Sequence, residues 1–83
     1  METQLRRANK FYYNIFKKTC SDLDLGEYIS FGIRVISNDF VEILEIEDIS
    51  TYEPEVAALT ARCNTLSLEP IHLTGVIEDF LGQ

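Results

Sequence analysis

The sequence is poor in the residues that stabilise secreted proteins and in long apolar runs. It has no tryptophan, one histidine, two prolines and two cysteines in 83 residues. No apolar run approaches the length of a membrane span, and the first ten residues lack the apolar segment of a secretion signal. We therefore expect a cytoplasmic protein without membrane association. In that reducing compartment Cys20 and Cys63 are expected to be free thiols.

The sequence also lacks the short motifs that accompany common chemistries. It contains no P-loop, no G-x-G-x-x-G, no G-x-S-x-G and no H-E-x-x-H. Cys20, Cys63 and His72 show none of the paired spacings of a zinc site. The sequence therefore predicts no metal site and no cofactor, and it gives no positive evidence for catalysis.

Basic residues are few and unevenly distributed. Seven Lys and Arg stand against 14 Asp and Glu, a net charge of −7 that repels nucleic acid and anionic lipid. Residues 1–18 nevertheless hold five of the bases and one acid. We favour a basic first strand lying against an acidic body. The alternative is a basic arm that binds nucleic acid or an acidic protein.

Three stretches rich in β-branched and aromatic residues predict three strands. They cover about Phe11–Thr19, Glu27–Ser37 and Phe40–Glu47, with turn residues between them. The hydrophobic fraction of 46% suits one folded domain over residues 1–83, with residues 1–7 frayed. A simple meander would place the second strand in the middle of the sheet.

Alternation along the central strand assigns its side chains to two faces. One face carries Ile29, Phe31, Ile33 and Val35. Asn38 and Asp39 tolerate positive φ and predict a two-residue hairpin loop, which would align Ile33 with Leu44. The residues left on the second face are Tyr28, Arg34, Ile36, Val41 and Ile43.

Two helices are predicted after the strands. The first has Ser50 or Thr51 as N-cap, Pro54 in its first turn and Asn64 as its stop. The second starts at Pro70 and ends at Gly82. The predicted fold is α+β, a three-stranded antiparallel β-meander followed by two helices packed on one sheet face. The residues expected to be most buried are Phe31, Ile33, Leu44, Ile46, Leu59, Val76, Ile77 and Phe80.

The polar candidates for a functional surface lie in the last helix. Glu78 and Asp79 stand at its C-terminal end, where the helix dipole opposes negative charge. We expect a salt bridge from this pair to the N-terminal strand, and a binding role is the alternative. His72 is predicted to be structural or exposed at the surface. The acids of the third strand (Glu42, Glu45, Glu47 and Asp48) are divided between two faces by alternation, which favours a solvated edge over a cation site.

The chain resembles a family of small bacterial proteins of unknown function, common in anaerobic spore-forming Gram-positives. The resemblance is carried by three sequence segments, Ile46–Ser50, Leu68–Leu73 and Val76–Leu81. That family likewise ends on a Pro-Ile-His-Leu helix with an acidic pair, an aromatic residue and Leu. The resemblance covers roughly residues 27–81 and implies a cytoplasmic α+β domain. If the family has a functional site, the resemblance points to His72, Glu78 and Asp79, which match its most distinctive sequence motifs. The family usually has an acidic residue where this chain has Gly75.

Two functions from different classes follow. The first is a small acidic interaction protein that forms a homodimer through Tyr28, Arg34, Ile36, Val41 and Ile43. The second is a small-ligand-binding protein or enzyme that uses His72 with Glu78, Asp79 or Cys63. We prefer the first because apolar side chains occupy both faces of the predicted sheet and no catalytic motif is present.

Overall fold

The computed structural model describes residues 10–82 of the chain. The strands are β1 (Phe11–Asp22), β2 (Gly26–Ser37) and β3 (Glu42–Ser50), and they form one antiparallel sheet in the order β1-β2-β3. Helix α1 (Glu53–Thr65) follows, then a 3-10 turn (Pro70–His72) and helix α2 (Leu73–Leu81). The predicted α+β meander with two helices is confirmed. The expected fraying of residues 1–7 lies outside the described residues.

The pairing of β2 with β3 differs from the predicted register. Ile33 is opposite Ile46 and Val35 is opposite Leu44, two residues away from the predicted alignment. The reason is a longer β2–β3 turn, in which Phe40 rather than Asn38 or Asp39 adopts positive φ, at 64°. A shift of two keeps each side chain on its face. Leu44 and Ile46 therefore still reach the core.

Two irregularities in β3 bend it across the side of the sheet away from the helices. Pairing slips between Phe31 and Ile33 and again between Val35 and Ile36, and Asp48 has φ 54°. Such bulges increase the local twist of a strand. The bend brings the Ile46 carbonyl and the Glu47 backbone against Gly32, where a Cβ would collide with that carbonyl oxygen. Only glycine fits there.

The core lies between the other sheet face and the helices. Its buried hydrophobic residues are Tyr13, Ile33, Val35, Ile49, Val56, Leu59, Cys63, Leu73 and Ile77. Of the residues expected to be most buried, Ile33, Leu59 and Ile77 are so, and the other five are half-buried and pack against this cluster. Ile29, assigned to the core face, is instead 49% exposed and lies in the part of β2 past its last pair with β3.

Both helices begin differently from the prediction. The N-cap of α1 is Tyr52, without a side-chain cap, while the Ser50 hydroxyl accepts the Tyr52 N–H at 3.0 Å. The predicted capping box is therefore wrong, although Pro54 does lie in the first turn. The last helix opens as a 3-10 turn, and Gly82 caps its end as predicted.

Replacing Gly32 by Ala should destabilise the fold by about 1–3 kcal/mol, because the added methyl group meets backbone rather than a movable side chain. Gly75→Ala is the matched control. Apart from the local backbone of its own helix, nothing lies within 4 Å of a Cβ at Gly75, so this change should stabilise α2 by up to about 1 kcal/mol. Urea unfolding measures both. Equal effects of the two substitutions would contradict the close approach at Gly32.

Candidate functional site

The sheet face away from the helices, called here the outer face, leaves apolar side chains in water. Tyr12 and Ile43 are 47% and 46% exposed, and Ile36, opposite Tyr12 in the β1–β2 ladder, is half-buried. Val41, 58% exposed, lies between the turn and the start of β3, outside the strand alternation. These four residues form the outer patch. The patch lies at the end of the sheet that carries the β2–β3 turn. Of the predicted interface residues, it contains Ile36, Val41 and Ile43.

The turn beside the outer patch holds an exposed aromatic residue in an unfavourable backbone conformation. Phe40 is 87% exposed and has φ 64°. A bulky residue in the left-handed region costs roughly 1–2 kcal/mol relative to glycine. Its exposed ring recovers little of that cost by packing in this chain. Strained positions of this kind cluster at binding sites.

Arg34 joins β2 to β3 on the outer face. Its guanidinium lies 4.7 Å from the centroid of the Phe16 ring, and its Nη2 donates to Glu45 Oε2 at 3.2 Å. Nε lies 3.3 Å from Glu42 Oε1 and is buried without a hydrogen bond of good geometry. Arg34 is one of the residues predicted to form the interface with a second copy. Its carboxylate partners are instead in its own chain.

The bend of β3 supplies partners for two more outer-face residues. Lys18 Nζ donates to Glu47 Oε2 at 2.7 Å, and this hydrogen bond raises the pKa of Lys18. The Tyr28 hydroxyl donates to Asp48 Oδ2 at 2.9 Å, which, with burial, raises the pKa of Tyr28 to about 12. Both contacts are exposed, so each contributes little to stability. Their effect is to give the polar groups partners within the chain.

The four acids of β3 therefore differ from their predicted division between two faces. Glu42, Glu45, Glu47 and Asp48 all meet outer-face partners, because the bulges turn Glu42 and Asp48 to that side. Within residues 10–82 no group of three or more His, Cys, Asp and Glu side chains is arranged to hold a metal ion. These acids act as partners of Lys18, Arg34 and Tyr28.

The predicted polar surface on the last helix is spread along that element. His72, Glu78 and Asp79 are all exposed, and His72 lies about 9 Å from Glu78 along the axis, by the rise per residue. The salt bridge expected from Glu78 and Asp79 to the N-terminal strand does not occur among the described residues. Arg6 and Arg7 of that segment lie outside them. Cys63 is buried in the core, and burial raises the pKa of its thiol.

A groove of about 830 Å³ runs along the free edge of β1, between Lys10–Asn14 and the α1–α2 connection. Asn64, predicted only as a helix stop, closes part of this edge. Its Oδ1 accepts the Tyr13 N–H and its Nδ2 donates to the Tyr13 carbonyl, both at 2.8 Å. The amide thus imitates a neighbouring strand for one residue. None of His72, Glu78, Asp79 and Cys63 lines the groove.

Asn64→Ala should destabilise the fold by about 1–3 kcal/mol, because both backbone groups of Tyr13 lose their partner. Amide hydrogen exchange should also show faster exchange at Tyr13. Asn14→Ala, at an exposed position of the same strand, is the control and should change neither quantity. Unchanged exchange at Tyr13 in Asn64→Ala would contradict the role of the amide.

Tyr13 makes stability depend on alkaline pH. Its side chain is buried, and its hydroxyl donates to the Leu68 carbonyl at 2.5 Å. Burial, with smaller effects of Cys63 and Glu69, raises its pKa to about 12. The unfolded value is near 10, so this contribution is complete below about pH 10 and is lost as pH rises towards 12. In urea unfolding at pH 9 and pH 11, Tyr13→Phe should lose less stability than the wild type. Equal losses would contradict this assignment.

No helix among residues 10–82 is long and apolar enough to cross a membrane.

Comparison with known proteins identifies the family of the chain. Neither the curated proteins nor the solved structures contain a match to the chain. A family model described as a family of unknown function, DUF6514, matches residues 1–83, more than the roughly 27–81 of the expected resemblance. The chain belongs to this family of unknown function.

Proposed function

We propose that this protein is a small acidic interaction module that forms a homodimer through the outer patch. The observation that carries the proposal is the exposure of Tyr12 and Ile43 on the outer face, with the exposed Val41 just before β3. The largest apolar patch on a typical monomer is about 300–600 Å² and is often functional. A face of this kind suits contact with another protein.

The charges around the outer patch support a second copy as the partner. Lys18 and Arg34 on the outer face have carboxylate partners within the chain. These two bases are therefore less available to attract an acidic protein. A two-fold axis through the patch would bring identical apolar groups together. Because each copy carries −7, added salt should tighten this dimer by screening repulsion.

Phe40 adds a second line of support. An exposed aromatic side chain held at φ 64° beside Val41 destabilises the free chain and provides apolar area for a partner. Aromatic residues often dominate the binding energy of interfaces. We assign Phe40 to the rim of the dimer contact.

The alternative, a ligand site that uses His72 with Glu78, Asp79 or Cys63, has less support. The three polar residues stand exposed along one element, and the Cys63 thiol is buried in the core. Neither the groove along β1 nor the smaller cleft lined by Leu59, Cys63 and Val76 brings these groups together. The cytoplasmic location stays a proposal that rests on the free cysteines.

The test is the double substitution Val41→Lys, Ile43→Lys, which places four ammonium groups in a two-fold contact. We expect the wild type to be a dimer at high micromolar concentration in light scattering and the variant to be a folded monomer. Ile71→Lys with Leu81→Lys is the matched control, because both residues are exposed and lie away from the outer face. The control should remain dimeric. A monomeric wild type at that concentration would refute the dimer.

Phe40→Asn separates stability from association. Asn tolerates positive φ, so the variant should unfold at the same or a higher urea concentration than the wild type. Its dimer should nevertheless dissociate at a higher protein concentration, because the exposed ring is lost. Analytical ultracentrifugation measures the second effect. A Phe40→Asn dimer as tight as the wild type would exclude Phe40 from the contact.

A further inference from the structure

The hairpin of β1 and β2 extends beyond the rest of the sheet. Its ladder continues to the pair Asp22–Gly26, while the last pair between β2 and β3 is Phe31–Ser50. Residues 22–26, called here the hairpin tip, therefore project from the body. Two leucines occupy this tip, Leu23 fully exposed and Leu25 73% exposed. Turns are usually built from polar residues and glycine, so these leucines need another explanation.

The hairpin tip has a defined conformation. Asp22 Oδ1 accepts the N–H of Asp24 at 2.7 Å and that of Leu25 at 3.1 Å, and Gly26 takes φ 77°. The backbone that carries the leucines is thus ordered before any contact forms, which lowers the entropy cost of binding. Residues 19–33 contain three acids and no base. The tip therefore combines two exposed leucines with negative charge.

A surface complementary to the hairpin tip lies between the two helices. An apolar cleft of about 110 Å³ is lined by Leu59, Arg62, Cys63, Leu66, Leu68 and Val76. An apolar cavity of about 150 Å³ holds benzene, so this cleft is of a size for one aliphatic side chain. Leu66 is 69% exposed at its mouth. Arg62 makes no ion pair with a carboxylate among residues 10–82.

We propose that the hairpin tip of one copy inserts a leucine, Leu23 or Leu25, into the helix cleft of a second copy, with Asp24 facing Arg62. The chain thus carries both halves of a contact: leucines beside acids at one place, and an apolar cleft beside Arg62, which has no carboxylate partner among residues 10–82, at another. The contact uses none of the outer-patch residues, so it is independent of the proposed dimer. Being heterologous, it either closes as a reciprocal pair or extends into longer assemblies.

The free edge of β1 offers no comparable contact. Lys17 and Lys18 follow one another on this edge strand, and lysine on an edge strand opposes pairing with another strand. Nearer the body, the Asn64 amide already occupies the backbone groups of Tyr13. Strand addition would have to displace that amide.

The experiment uses the full chain carrying Val41→Lys and Ile43→Lys, so that the outer patch does not contribute. In sedimentation equilibrium up to millimolar concentration, this chain should still self-associate weakly. Leu23→Ser with Leu25→Ser should abolish the association while leaving the urea midpoint unchanged, because both leucines are exposed. Leu81→Ser, at another exposed leucine, is the control and should retain it.

Charge reversal tests the pairing itself. Arg62→Glu should weaken the association about tenfold, and Arg62→Glu combined with Asp24→Lys should restore it. A mixed sample tests the contact site. The isotope-labelled chain carries Leu23→Ser and Leu25→Ser, and the unlabelled chain has an intact hairpin tip. Adding the unlabelled chain should change the NMR chemical shifts of Leu66 and Val76 in the labelled chain. The proposal is overturned by a background chain that is still monomeric at millimolar concentration, above the high micromolar range of the outer-patch test, by association that survives loss of the leucines, or by failure of the reversed pair to restore binding. Each of these results leaves the outer-patch test unaffected.

Discussion

The close approach of β3 to Gly32 is the constraint on which the outer side of the sheet depends. Because Gly32 has no side chain, the Ile46 carbonyl and Glu47 backbone can cross the middle strand at that point. The bulge that permits this crossing also turns Glu47 towards Lys18 and Asp48 towards Tyr28. Further along, Ser30 is fully buried and its hydroxyl donates to the Ser50 carbonyl at 3.1 Å. One half of the outer face is thereby covered by the protein's own chain.

The other half of the outer face differs in character for the same reason. Beyond this bulge, β3 pairs regularly with β2 from Ile46 to Leu44, before the second register shift between Val35 and Ile36. At the boundary between the two halves, Arg34 forms ion pairs with Glu42 and Glu45. The apolar side chains of the outer patch then lie together at the end of the sheet that carries the β2–β3 turn. The separation into a polar covered half and an apolar uncovered half is a property of the folded sheet. It makes the uncovered half the natural surface for association.

The opposite edge of the sheet shows how the chain limits association elsewhere. β1 is an edge strand of 12 residues, long enough to pair with a foreign strand. The Asn64 amide satisfies both backbone groups of Tyr13, and lysines follow along the edge. In the assemblies proposed above, contacts between copies are directed to side chains, on the outer patch and at the hairpin tip, and away from open backbone. Side-chain contacts are more selective than strand pairing, because backbone groups are the same in every protein.

The sequence by itself determined the order of strands and helices, the buried face of β2 at Ile33 and Val35, and the helix end at Gly82, because these depend on local periodicity and on residues with restricted backbone preferences. The close approach at Gly32 depends on the neighbouring strand and is therefore a property of the tertiary structure. Only the tertiary structure decided the β2–β3 register, the outward turn of Glu42, and the pairing of Asn64 with Tyr13, 51 residues away. Alternation assumes an unbroken strand, so it fails at a bulge, and a contact between distant residues leaves no periodic trace in the sequence.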